Sequence, residues 1–358
     1  MQKVFVNIFL ILCIFSPISV QAIGAGDNVP TYEAKIVKII EEKQIELMGT
    51  SQLYQKLELQ IISNNRVITV ENGNQPLANI IKYKINDKVI ISSSGNQENL
   101  DEYVITDFNR SDGLIILSVI FILSILVVAR GKGFYSIIGM LFTFFVIFKF
   151  TLPQILNNNN PIIISILSSL VIIPVSFYLS HGLNKKTTIS IIGSIITLTL
   201  SIILGSVFIR LGHLTGLSSE EAGMLSLGKT NLDMTGILLA GIIIGALGVL
   251  DDVTVSQSAI VQELSQTAKL TKVKDLYSRA MVIGTDHITS MVNTLVLAYA
   301  GASMPLMLMF VNNPHPFGEI VNYELIAEEI VRTLVGSIGL VLAVPITTFI
   351  AANLYQKK

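Results

Sequence analysis

The amino-acid sequence predicts an all-α membrane bundle of about seven transmembrane helices behind a small extracytoplasmic β-rich domain, barrel-like or sandwich-like. Three observations carry that expectation. The 358-residue chain has a mean hydropathy of +0.66 and only 14% charged residues, against about 25% in soluble globular chains. Residues 31–110 are polar and charged, whereas long apolar runs dominate the chain beyond residue 110. Basic residues alternate between dense and sparse connections, as the two sides of a membrane require.

Residues 1–22 read as a signal peptide or an uncleaved signal anchor. Lys3 gives a positive start, Val4–Val20 an apolar stretch and Val20-Gln21-Ala22 a small-residue cleavage site. Either reading places the chain from about residue 30 outside the cytoplasm. The sole cysteine, Cys13, lies in this segment. Cleavage would therefore leave neither a disulfide nor a thiolate.

The extracytoplasmic domain, 31–110, reads as short strands. Gln55–Ile61 largely alternates polar and apolar residues, and Arg66–Val70, Lys88–Ser92 and Tyr103–Asp107 resemble it. Turn residues at Asn64-Asn65, Asn72-Gly73-Asn74 and Gly95-Asn96 separate them. No catalytic constellation falls here, so a binding or spacer role is expected.

The helical domain, 113–354, contains seven apolar segments: Gly113–Ala129, Phe134–Pro153, Pro161–Ser180, Thr187–Ile209, Thr235–Leu250, Ile288–Phe310 and Ile330–Leu354. Most are long enough to cross a core of about 30 Å, and the fifth is short. Starting outside, ten basic residues fall on predicted cytoplasmic connections (Arg130, Lys132, Lys185, Lys186, Lys269, Lys272, Lys274, Arg279, Lys357 and Lys358). Five face the other side: Arg110, Lys149, Arg210, Lys229 and Arg332. That bias puts the C-terminus in the cytoplasm. The external connection Leu211–Met234 is long enough to dip into the membrane or lie along it.

Two polar clusters are candidate ion- or proton-binding sites. Asp251 and Asp252 follow the fifth apolar run, and Ser256 lies one turn beyond Asp252 if the helix continues. Carboxylates near hydrocarbon need a partner, water, a proton or a cation. Gly241, Gly245 and Gly248 just before them are spaced for close helix packing. The second cluster opens the sixth segment, with Asp286, Ser290 and Asn293 on one helical stripe and His287 beside them. These groups suit cation binding or proton relay. Capping by Asp286 and helix–helix hydrogen bonding by Ser290 and Asn293 explain them equally well. Glu328, Glu329 and Arg332 read as local ion pairing at the start of the seventh segment.

Enzymatic signatures are missing: there is no HExxH, Gly-x-Ser-x-Gly or Walker loop. Gly248-Val249-Leu250-Asp251 departs from the GxGD protease motif at Leu250. No cofactor is expected, no metal ligand set is assignable, and a net charge of -1 gives no reason to expect nucleic acid.

Gly245–Leu264, Ala280–Phe310 and Glu329–Ala352 resemble, in order, three long segments of the YibE/F family of bacterial membrane proteins. The exported domain makes the chain similar to the longer, YibE-like members. Thr285 stands where the family's G-R-D-H pattern implies arginine, which removes a cation beside Asp286. The resemblance implies a bacterial plasma-membrane location and, because members are often encoded in adjacent pairs, a related membrane protein as partner, besides lipid and self-association. It implies no biochemistry. The residues themselves suit a transporter or exporter of an unidentified solute or ion. The alternative is a non-transporting envelope scaffold or partner-binding component.

Overall fold

The computed structural model describes residues 30–47, 49–76, 80–93, 103–228, 231–267, 272–311 and 315–356. The expected signal segment and the Gly95-Asn96 turn lie outside them. The chain divides between Ser124 and Ile125 into two compact units.

The first unit is built on one antiparallel sheet of five strands, β1 (Thr31–Leu47), β2 (Thr50–Ile61), β3 (Val67–Asn72), β4 (Lys88–Ser93) and β5 (Tyr103–Phe108), in the order β3-β2-β1-β4-β5. Alternation in β2 places Leu57, Leu59 and Ile61 inside, where Ala34, Ile36, Val89 and Ile91 meet them. β1 has no such alternation beyond Ile40, because its second half is charged. It is held instead by its ladder with β2, which shifts register between Ile36 and Lys38 and between Ile39 and Glu41. Such bulges bend a strand. The edge strands β3 and β5 approach each other, so the sheet curls around its core. At the turn after β3, Gly73 has φ +82°, and a Cβ there would lie 2.1 Å from the Leu53 carbonyl oxygen. Only glycine fits.

Among the described residues of this sheet, no buried side-chain polar atom lacks a hydrogen-bond partner. Gln55 is completely buried. Its Nε2 donates to Glu42 and to the Tyr83 carbonyl, each at 3.0 Å, and its Oε1 accepts from the Tyr83 amide at 2.9 Å. Lys82 also pairs with Glu42. The Lys82 ammonium, and then Gln55, hold the Glu42 carboxyl below its ordinary pKa.

The helical unit and the stretch leading into it are α1 (Ser111–Val146), a π-helical turn (Ile147–Thr151), α2 (Leu152–Leu156), α3 (Pro161–His181), α4 (Lys185–Leu211), α5 (Glu220–Gly228), α6 (Met234–Thr267), α7 (Val273–Ala302), α8 (Met304–Val311), α9 (Phe317–Ile320) and α10 (Glu324–Tyr355). Five helical stretches among the described residues are long and apolar enough to cross a membrane: Ser111–Leu156, α3, α4, α6 and α10. The first, at 46 residues, is long enough for two crossings. It is interrupted at Arg130, with φ 51° and ψ −130°. A Cβ on Gly133 would lie 2.7 Å from the Ile125 carbonyl oxygen. Residues eight apart in a straight helix are about 12 Å apart, so the chain folds back there. The break falls between the first two apolar segments of the sequence.

α3, α4, α6 and α10 form the packed bundle, with Ile173, Ile243, Leu250, Val253, Leu340 and Val344 at its core. Asn160 caps α3 by accepting from the Ile162 and Ile163 amides, and Asn184 caps α4 through the Thr187 amide. The tightest contact is the antiparallel α4–α10 seam. A Cβ at Gly193 would come within 2.4 Å of Thr347 Oγ1, and one at Gly339 within 2.4 Å of Ser201 Oγ. Small residues spaced by four on both helices bring the backbones close. Hydroxyls join α4 to α6: Ser190 Oγ donates to the Thr254 carbonyl at 3.1 Å, and Ser194 Oγ lies 2.9 Å from Thr254 Oγ1. Gln257 Nε2 donates to the Ala280 carbonyl at 3.1 Å and to Thr348 Oγ1 at 2.7 Å, joining α6 to α7 and α10.

The sixth apolar segment is not continuous: α7 stops at Ala302, and α8 begins beyond Ser303. Asp286, His287, Ser290 and Asn293 lower the hydropathy of α7, which is not among the five apolar helices. The fifth apolar segment lies within a longer helix, because α6 continues through Thr267.

Candidate functional site

The continuity of α6 places Asp251 and Asp252 inside a helix rather than at its end. Leu250 and Val253 on either side are buried, so the backbone is held in the bundle and the carboxylates cannot leave with a fraying end. Asp251 turns toward α3. Its side chain is 31% exposed, and its Oδ1 lies 3.6 Å from Nε2 of His181, the last residue of α3. That oxygen is buried and accepts no hydrogen bond. The separation is too long for a hydrogen bond. It suits an ion pair when the imidazole is protonated, and a small closure would allow proton transfer.

The other expected residues are arranged less compactly. Asp252 is exposed, and Ser256, half-buried, donates to the Val253 carbonyl at 3.1 Å. On α7, Ile288, Met291, Val292 and Leu295 pack against the bundle core. Asp286, Ser290 and Asn293 therefore lie on the opposite side and are exposed, with His287 half-buried beside them. Among the described residues, no hydrogen bond or ion pair joins them to Asp251 or Asp252. Thr285, in place of the implied arginine, donates to the Met281 carbonyl at 2.7 Å. At Gly241 and Gly248 an added Cβ would meet nothing within 4 Å, and at Gly245 only Tyr299 Oη at 3.8 Å. Close packing belongs instead to Gly193, Gly339 and Gly284, whose added Cβ would lie 2.7 Å from Val344 and 2.9 Å from Gln257.

A second ionisable site sits where α6 and α10 begin. Lys185 at the start of α4 donates to Leu354 at the end of α10, so His181 belongs to the opposite end of the bundle. Glu328 is only 8% exposed. Its Oε2 accepts from Ser218 Oγ at 2.6 Å, and its Oε1 is buried without a partner. Arg332 pairs with Glu329, Nη1 to Oε2 at 3.3 Å, and leaves Glu328 to the loop before α5. Glu324, one turn earlier, accepts from the Thr215 amide and ties down the same loop.

Sequence reasoning missed His181 and the depth of Glu328. A single histidine separated from Asp251 by 70 positions gives no periodic signal. For Glu328 the local pairing of Glu328, Glu329 and Arg332 was visible in the spacing; the i,i+3 pair Glu329–Arg332 forms, and Glu328 stays out of it. Among the described residues, no three His, Cys, Asp or Glu side chains are grouped to hold a metal ion.

Residues 117–357 match the model of the family described as YibE/F-like protein. This is more than half of the chain. The chain belongs to the YibE/F-like family. The matched region of this family member takes in the bundle, both ionisable sites and α7. No curated protein and no solved structure matches the chain. The family match and the apolar helices identify a membrane protein.

Proposed function

We propose that this YibE/F-like protein is a multi-pass transporter or exporter in which the His181–Asp251 pair binds and releases a proton or small cation. The observation that carries this reading is the buried, unpartnered Asp251 Oδ1 facing His181 inside a membrane helix. Ionisable groups held within membrane bundles are costly and mark conduction or coupling paths. Seven crossings follow if α1 crosses once on each side of Arg130 and the α7–α8 stretch supplies the sixth. The β domain is then extracytoplasmic, the C-terminus cytoplasmic, and the Glu328 end of the bundle faces outward.

The test uses full-length protein in acid-loaded liposomes carrying a pH dye, to which inorganic and organic cations are added in turn. The wild type should dissipate the gradient with at least one cation, and Asp251→Asn should slow this at least tenfold at equal incorporation. Undiminished dissipation by Asp251→Asn, or none by the wild type, overturns the reading.

A second reading, a partner-binding membrane component, is favoured by the outward stripe of Asp286, Ser290 and Asn293. A charged group facing hydrocarbon is costly, and a related membrane protein or a second copy would cover it. Replacing all three by leucine should abolish any complex seen with the wild type on native gels of solubilised membranes, while leaving cation-driven dissipation unchanged.

A further inference from the structure

We propose that the cavity beside Glu328 binds a short organic diammonium cation. The cavity measures about 510 Å³, within the range of small-molecule sites. It is lined by buried Glu328 and by exposed Glu221 at the start of α5. Leu225, Ile237 and Leu238 contribute apolar lining. Arg332 also borders the space; its Nη1 pairs with Glu329, and its Nε is buried without a partner. What remains is one buried carboxylate and one exposed carboxylate on the same cavity.

The chemistry of those two carboxylates selects the ligand. Glu328 Oε1 is buried with no donor, and a desolvated carboxylate oxygen calls for a charged donor. Among the described residues no three His, Cys, Asp or Glu side chains group there to hold a metal ion, which makes an organic cation the ligand of this proposal. An ammonium group brings three N–H donors and a full positive charge. It can bond Oε1 while Ser218 keeps Oε2. A short methylene chain suits Leu225, Ile237 and Leu238, and a second ammonium would sit at Glu221 in partly wet surroundings. An anion would meet the Glu328 and Glu221 carboxylates. A monoamine would use only the buried one.

This binding is expected whether or not Asp251 couples protons, so the two readings fail separately. The experiment is calorimetric titration of 1,4-diaminobutane into the full chain held in lipid nanodiscs, with n-butylammonium and butanoate as controls. Saturable one-to-one binding of the diamine is expected, at least fivefold tighter than the monoamine, with no heat from butanoate. Glu328→Gln should weaken it at least tenfold, Ser218→Ala and Glu221→Gln about threefold each, and Asp251→Asn should leave it unchanged. Ser218→Ala keeps every carboxylate and serves if Glu328→Gln does not fold. No saturable diamine binding to the wild type, equal binding by Glu328→Gln, or equal affinity for the monoamine overturns the proposal.

Discussion

The β unit and the helical unit bury polar side chains in opposite ways. In the sheet, Gln55 has its amide nitrogen and oxygen both engaged, and Gln52 donates to the carbonyls of Gly73 and Gln75 at 2.8 Å. In the helices, Asp251, Glu328, Gln257, Ser201, Ser337 and Thr347 each keep a buried oxygen with no hydrogen bond. Among the described residues, every such orphaned side-chain atom lies in the helical unit. A buried polar group left unbonded costs about 1–3 kcal/mol. The sheet uses its polarity to hold itself together, whereas the bundle carries unspent capacity for a ligand, proton or water.

The contrast can be broken by substitution. The largest effect is expected where the bundle has no slack: Gly339→Leu drives a side chain into Ser201 and should cost about 3 kcal/mol or more, read as loss of a monodisperse peak after solubilisation. Next is Gln55→Leu in the sheet, which strands the backbone N–H and carbonyl of buried Tyr83 and should cost about 3 kcal/mol, read by proteolysis of the β unit in the full chain. The orphaned carboxylate should behave differently. Asp251→Asn removes no satisfied hydrogen bond and should shift stability by under about 1 kcal/mol in a melting experiment, while impairing transport. If it destabilises as strongly as Gln55→Leu, the orphaned groups are structural and the contrast fails.

The smallest effect is electrostatic and lies on the sheet's surface. Lys82 holds the folded-state pKa of Glu42 down, so the pair's contribution is present above the ordinary carboxylate pKa. It fades as pH falls through the lowered folded value. Lys82→Ala should therefore reduce protease resistance slightly at neutral pH and not at all in strong acid. A difference that grows toward acid would reverse the assigned sign.

Much of this architecture was legible in local pattern. Alternation located β2, turn residues marked Asn64-Asn65 and Gly73, and apolar length located the helices, because burial in sheet or lipid leaves a local imprint. The reversal at Arg130 also coincides with a basic, glycine-flanked connection. β1 was less visible because its charged half gains its place from pairing with β2, which is a long-range contact. The broken α7–α8 segment was hidden for another reason: composition counts apolar residues but does not register a helix end at Ala302.

The sequence by itself determined the two-part organisation, the apolar helices and the carboxylates available for chemistry, since these depend on residue type and spacing along the chain. Only the tertiary structure decided where each acid sits. It paired Asp251 with His181, turned Asp286 away from the bundle, gave Arg332 to Glu329 and left Glu328 in a cavity. Those outcomes depend on how separate helices rotate and pack against one another. A single helix's periodicity lists its faces but cannot say which face will meet a neighbour.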